Sequence, residues 1–264
     1  MFCIDLRISE TLSWICVLIT LNKKEKTSEE AVAKRIILIR HGDDPPDDRA
    51  YTYFQQNGFD VEITRPYKGD VLGDLSDDVV GTVIYGGPFN VFETDKHPFL
   101  NDEHRWIELC IENQVPMLGI CQGAQSIAHT LGAKVGPREG EPHEFGYYQL
   151  YPTEAGADIL SQPIAVTQAH FHEFEVPDGG ELLAYSDTFP QQAFRYGSST
   201  YGFQFHPEVT IEGFRRWQTL LSFNYGRPGV QTVDEQNSLM YEHDEAQAEW
   251  FYEFLDKLFG KPTD

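Results

Sequence analysis

Basic side chains are scarce in this sequence: 20 Lys and Arg face 42 Asp and Glu across 264 residues, a formal charge of −22 with neutral histidines. Phosphate backbones and anionic bilayers recruit proteins through Lys and Arg, so neither nucleic acid nor a membrane is an expected partner. Cysteine is also thin. Cys3, Cys16, Cys110 and Cys121 form no CxxC pair, which argues against a disulfide framework or a zinc site and makes a reducing, cytoplasmic setting the expectation. Long apolar runs are missing as well: Leu12 to Leu21 falls short of the about 20 residues a bilayer span needs. The segment has neither the basic start nor the small-residue cleavage site of a secretory signal. What the chain does have is core-forming material, 41% hydrophobic with 13% aromatic, so the acidity belongs to a folded protein and not to a disordered tail.

Lys23 to Glu30 (KKEKTSEE) reads as a solvated linker, and the first convincing strand follows it. Residues 1–33 are therefore expected to be an extension outside the core. No Met lies between Met1 and Met117, so a shorter natural product would need a non-Met start codon, with Val32 a candidate position. Past the linker, apolar runs at Ile36–Ile39, Val61–Thr64, Val79–Tyr85 and Val115–Ile120 read as buried strands, and Asp48–Asn57 and Asn101–Glu112 read as the helices between them. Fully apolar strands alternating with helices indicate a parallel sheet covered on both faces. After Leu131 the rhythm turns to strands: Tyr147–Tyr151, Ile164–Thr167, Leu182–Tyr185, Ala193–Tyr196 and Gly202–His206. The expected fold is a single α/β domain over residues 34–224, with a mixed, mainly parallel sheet flanked by helices. Ile211–Phe223 reads as a helix, and residues 225–264 as an acidic amphipathic helix packed on the domain. Leu239, His243, Ala246, Trp250, Phe254 and Leu258 form its apolar stripe, and its nine acids are expected to face solvent. The acids of Asp43–Asp48 are likewise expected to lie away from any chemistry.

Two segments carry chemistry. Val115 to Gly132 encodes a buried strand, a sharp turn at Cys121 and an immediate helix, with Gly119 and Gly123 permitting the tight strand-to-helix turn of a nucleophile elbow. At a helix N-terminus the thiol meets unsatisfied N–H groups and the positive end of the dipole, which favour thiolate and can also hold an oxyanion. A thiol nucleophile needs a base held by a third group. Tyr201-Gly-Phe-Gln-Phe-His-Pro-Glu208 offers His206 as the base and Glu208 as its orienter; in an extended chain both would point to one side, towards Cys121 if the two strands are neighbours.

Taken with Gly86-Gly87-Pro88 and Glu144-Phe-Gly-Tyr147, the Gly119-Ile-Cys-Gln-Gly-Ala-Gln125 and Gly202-Phe-Gln-Phe-His-Pro-Glu208 segments resemble the class I, or triad-type, glutamine amidotransferases. The pieces occur in the family's order over roughly residues 35–217 and are most similar to stand-alone members related to the glutaminase domain of GMP synthase. The resemblance implies a flavodoxin-like fold and hydrolysis of the glutamine side-chain amide through a Cys121 thioester, with His206 and Glu208 completing a triad. It implies an oxyanion hole from the backbone N–H groups of Gly87 and Gln122, each donor worth about 3 kcal/mol in the transition state. Gln125 and His170 would contact substrate. Phe171 and His172 stand where relatives carry Gly and Asp, so both free glutamine and a γ-glutamyl compound are open as substrates. A separate synthase subunit could accept the ammonia. No cofactor is expected, and no metal either, because no further ligand cluster accompanies His170 and His172.

Three other readings compete. A γ-glutamyl peptide or amide hydrolase would use the same triad, and a regulatory subunit would keep it as a relic. Arg40-His41-Gly42 looks like the signature of histidine phosphatases, although the acids that follow it would repel phosphate.

Overall fold

In the computed structural model the described residues are 34–261; the extension, its apolar run and its linker lie outside them. Residues 34–261 fall within one compact unit. In chain order the elements are β1 (Arg35–Ile39), α1 (Arg49–Gln56), β2 (Asp60–Thr64), β3 (Val79–Ile84), α2 (Phe99–Glu112), β4 (Met117–Ile120) and α3 (Gln122–Thr130). The second half contributes β5 (Val135–Pro137), β6 (Glu144–Pro152), β7 (Ile164–His170), β8 (His172–Phe174), β9 (Gly180–Tyr185), β10 (Ala193–Tyr196) and β11 (Thr200–Phe203), then α4 (Ile211–Leu220) and α5 (Val233–Phe259). Nine strands form one sheet in the order β2-β1-β3-β4-β11-β10-β9-β6-β7. From β2 to β11 neighbours run parallel, and from β11 to β7 they run antiparallel. The small strands β5 and β8 pair separately; at three residues each, they are too short for a periodicity signal.

The parallel half is buried on both faces, as its continuous apolar runs require. Ile36 and Leu38 of β1 pack with Phe54 of α1 and Phe251, Phe254 and Leu255 of α5. Ile37 and Ile39 point the other way, towards Trp106 and Ile107 of α2 and Ile127 of α3. Helix α1 starts where Asp48 accepts a hydrogen bond from the Tyr51 N–H, and α5 starts with a full capping box between Thr232 and Glu235.

Two expectations shift. The strand expected over Gly202–His206 ends at Phe203, and His206 to Glu208 form a turn beyond it. The buried face of α5 is Gln236, Met240, Gln247, Phe251, Phe254 and Leu255, rotated from the expected stripe. Two wholly buried glutamines set that face by hydrogen bonding to the sheet, and an apolar pattern cannot register them.

Candidate active site

Strands β4 and β11 are parallel neighbours, with Ile120 opposite Phe203 and the Cys121 N–H donating to the Phe203 carbonyl at 2.7 Å. The residues that follow each strand therefore emerge together at the carboxyl end of the sheet, where open α/β sheets place their ligands. Cys121 sits between β4 and α3 with φ 51° and ψ −109°, a strained conformation for a side-chain-bearing residue. The turn closes because a Cβ on Gly123 would fall 1.9 Å from the Ile84 carbonyl oxygen; only glycine lets α3 start this close to β3.

His206 and Glu208 are 4% and 3% exposed, and His206 Nδ1 lies 2.8 Å from Glu208 Oε1. The Trp217 indole meets the His206 ring edge-on, centroids 4.7 Å apart. A Cβ on Gly86 would sit 2.8 Å from His206 Cε1 and 3.3 Å from Cys121 Cβ, so the loop after β3 lies against both residues. Burial pulls the His206 imidazolium down, but the Glu208 carboxylate and then the Cys121 sulfur outweigh it and raise the group from 6.5 to about 10. Near neutral pH the ring thus carries a proton beside the Cys121 sulfur, an arrangement suited to acyl transfer.

The Gly86–Pro88 loop is held from both sides. The Gln122 side chain accepts a hydrogen bond from the Phe89 N–H at 2.8 Å, and a Cβ on Gly87 would fall 2.3 Å from His41 Cβ. As the first residue of α3, Gln122 also has an N–H with no intrahelical partner. A cavity of about 460 Å³ opens over Cys121, His206 and Glu208, walled by Gly87, Phe171, Trp217 and Leu220.

The other sequence candidates divide. His170 lines this cavity, yet its ring nitrogens already face the His172 carbonyl at 2.9 Å and Glu144 Oε2 at 3.0 Å. Gln125 is buried one helical turn after Cys121, its side chain bonds Gln204 at 3.1 Å, and it is not among the residues that line the cavity. His41, of the phosphatase-like motif, has Nδ1 on the Tyr85 carbonyl and Nε2 on Glu103, and Arg40 pairs with Asp48 above the Tyr85 ring. With both ring nitrogens engaged and the guanidinium committed, that motif braces the loop and offers no free nucleophile. The acids of 43–48 correct an expectation too, because Asp44, Asp47 and Asp48 line the cavity. Sequence reasoning passed over Glu144, which gathers His170, Ser186 and Gln192 into one buried network, and Trp217. The Glu144-Phe-Gly-Tyr147 motif was a signal for the first; the second had none.

The pattern of the family described as glutamine amidotransferase class-I matches residues 49–216. The chain belongs to that family. A glutamine amidotransferase-like protein, YfeJ, of Salmonella typhimurium is 29% identical over 220 residues, 77% of this chain and 88% of that protein. The GMP synthase [glutamine-hydrolyzing] of Dehalococcoides mccartyi is 35% identical over 133 residues, 49% of this chain but 23% of the synthase. The chain thus spans about a quarter of that relative and most of the first. The fold matches the crystal structure of a glutamine amidotransferase from Thermotoga maritima with a TM-score of 0.76 at 24% identity, covering 85% of this chain and 97% of that one. Among the described residues no helix is long and apolar enough to cross a membrane.

Proposed function

We propose that this family member hydrolyses the side-chain amide of glutamine with a Cys121, His206, Glu208 triad. The observation that carries the reading is the strained Cys121 turn beside a buried His206–Glu208 pair in the turn that follows the adjacent parallel strand. Cys121 Sγ, as thiolate, attacks the amide carbon, and the carbonyl oxygen becomes an oxyanion held by the N–H groups of Gly87 and Gln122. As the C–N bond breaks, His206 gives its proton to the nitrogen and ammonia leaves. Water then adds to the γ-glutamyl thioester while His206 takes its proton; the C–S bond breaks and glutamate departs. Glu208 keeps Nδ1 occupied, so the proton is exchanged at Nε2. The ammonia is released for a separate synthase subunit to consume.

A second substrate class is favoured by the cavity itself. Its volume falls in the range of about 300–1,000 Å³ that serves whole small-molecule ligands. Phe171, Trp217, Leu220 and Phe223 give it an apolar wall that would suit the amine portion of a γ-glutamyl amide. Labelling with a glutamine-analogue alkylating agent, followed by peptide mapping, tests the nucleophile: modification belongs on Cys121, and modification elsewhere or none at all overturns the assignment. Ammonia release from glutamine, set against amine release from γ-glutamyl peptides, separates the two substrate classes.

A further inference from the structure

We propose that α5 acts in catalysis at one remove: Asp244 and Gln247 are positioning residues that hold the His206–Glu208 turn against Cys121. The inference rests on the triad reading above. It concerns a helix that begins at Val233, beyond residue 216 where the family pattern ends.

Two chains of hydrogen bonds run from α5 to the turn. In the first, Arg49 is 4% exposed and spends its donors on consecutive carbonyls: its backbone N–H on Glu208 at 2.8 Å, and its Nη1 on Pro207 at 3.2 Å and on Val209. Its Nη2 donates to Asp244 Oδ1 at 2.6 Å. A buried guanidinium is tolerated only when paired, so Asp244 is what lets Arg49 stay among those carbonyls.

The second chain uses an edge of the sheet. Strand β7 is terminal, and Thr167 pairs with Tyr147 of β6 on one side only. On its open side the Thr167 carbonyl accepts the His206 N–H at 2.8 Å. The Thr167 N–H donates to Gln247 Oε1 at 2.6 Å, and Gln247 Nε2 donates back to Thr167 Oγ1 at 3.2 Å. Gln247 is wholly buried, and its amide closes an edge that otherwise would present unpaired groups. A helix that merely covered the core would place apolar side chains at these two positions. The polar choice puts the backbone of His206 under one restraint and that of Pro207 to Val209 under the other.

The test compares Asp244→Ala, Asp244→Asn and Gln247→Leu with the full chain, using Glu249→Ala on the exposed face of α5 as control. Measured are kcat and KM for ammonia release, the upper limb of the pH–rate profile, the rate of Cys121 labelling by the alkylating glutamine analogue, and the melting temperature. Misplacing a catalytic group by about 1 Å costs on the order of 100-fold, so Asp244→Ala and Gln247→Leu should lower kcat by about 10- to 100-fold with KM held within about threefold. The pH limb should move with kcat, and Asp244→Asn, which retains an oxygen acceptor, should recover part of the rate. Glu249→Ala should match wild type. If the variants melt earlier yet keep kcat per labelled site and the pH limb of wild type, the helix is only scaffolding and the inference falls while the triad stands. If wild-type Cys121 is not labelled at all, the triad reading falls and takes the inference with it.

Discussion

Replacing Glu208 with Gln keeps the shape of the side chain and removes the charge that holds His206. The pair is buried, 5% exposed on each side chain, with 2.8 Å between Nδ1 and Oε1. His206 is raised from 6.5 to about 10 in the folded protein, with Glu208 the first of the raising causes. Breaking a buried pair by removing one partner costs about 3–5 kcal/mol. The sign follows from the direction. A histidine raised on folding contributes stability that is complete below 6.5 and is lost as pH rises through about 10. In Glu208→Gln the burial that depresses the imidazolium remains and its main counterweight is gone, so the high-pH limb of activity should move down by about two units or more. At pH 7.5 the rate should fall by about 10²- to 10⁴-fold, the scale set by neutralising the orienting carboxylate of a triad. Ammonia release from pH 5 to 10.5 reads both effects. A variant whose limb stays where the wild type's is, or whose rate at pH 7.5 is within tenfold of wild type, would refute the argument that Glu208 controls the His206 proton.

Gly123→Ala should disable the elbow without touching a reacting atom, because the new Cβ would lie 1.9 Å from the Ile84 carbonyl oxygen and backbone cannot step aside. A stability loss of about 1–3 kcal/mol in thermal melts, with Cys121 labelling slowed by about 100-fold, is the expected result. His104 and His129 face each other across α2 and α3 with ring centroids 5.3 Å apart, and burial followed by His129 lowers His104 from 6.5 to about 4. A depressed histidine opposes folding as pH falls from 6.5 towards 4, and after discounting for its partial exposure the loss is about 1–2 kcal/mol. His104→Gln should remove that portion of the acid destabilisation, seen as a melting temperature less sensitive to pH between 6.5 and 4.

The elbow and the His-Pro-Glu segment were legible because their chemistry is local: glycines two positions either side of Cys121 announce a tight turn, and His206 and Glu208 sit two apart. How those two come to face Cys121 was not legible. An extended strand through His206 would have aligned them by its period of two, but β11 stops at Phe203 and a turn does the aligning. The turn depends on Arg49, more than 150 residues away in sequence, whose donors take the carbonyls of Pro207, Glu208 and Val209. Helix α5 shows the same limit. Its apolar residues marked a helix within 225–264, which the structure forms over Val233–Phe259, while Gln236 and Gln247, invisible to a hydrophobic pattern, chose the face that is buried.

The net charge of −22 counts every carboxylate alike, and the structure separates them. Glu208 holds His206, Glu144 holds His170, Glu103 holds His41, Asp48 holds Arg40 and Asp244 holds Arg49. All five bases are at most 6% exposed, and all but Arg49 line the cavity over Cys121. A buried pair of this kind adds little net stability, but losing one partner strands the other in a medium that cannot solvate it. The pairs therefore fix where each ring and guanidinium points more than they hold the fold together. That is what the proposed chemistry needs, since in it a proton leaves His206 from one nitrogen and towards one place. The acidity has two components: a surface excess, and a small inner set, one acid per base, that orients the groups around Cys121.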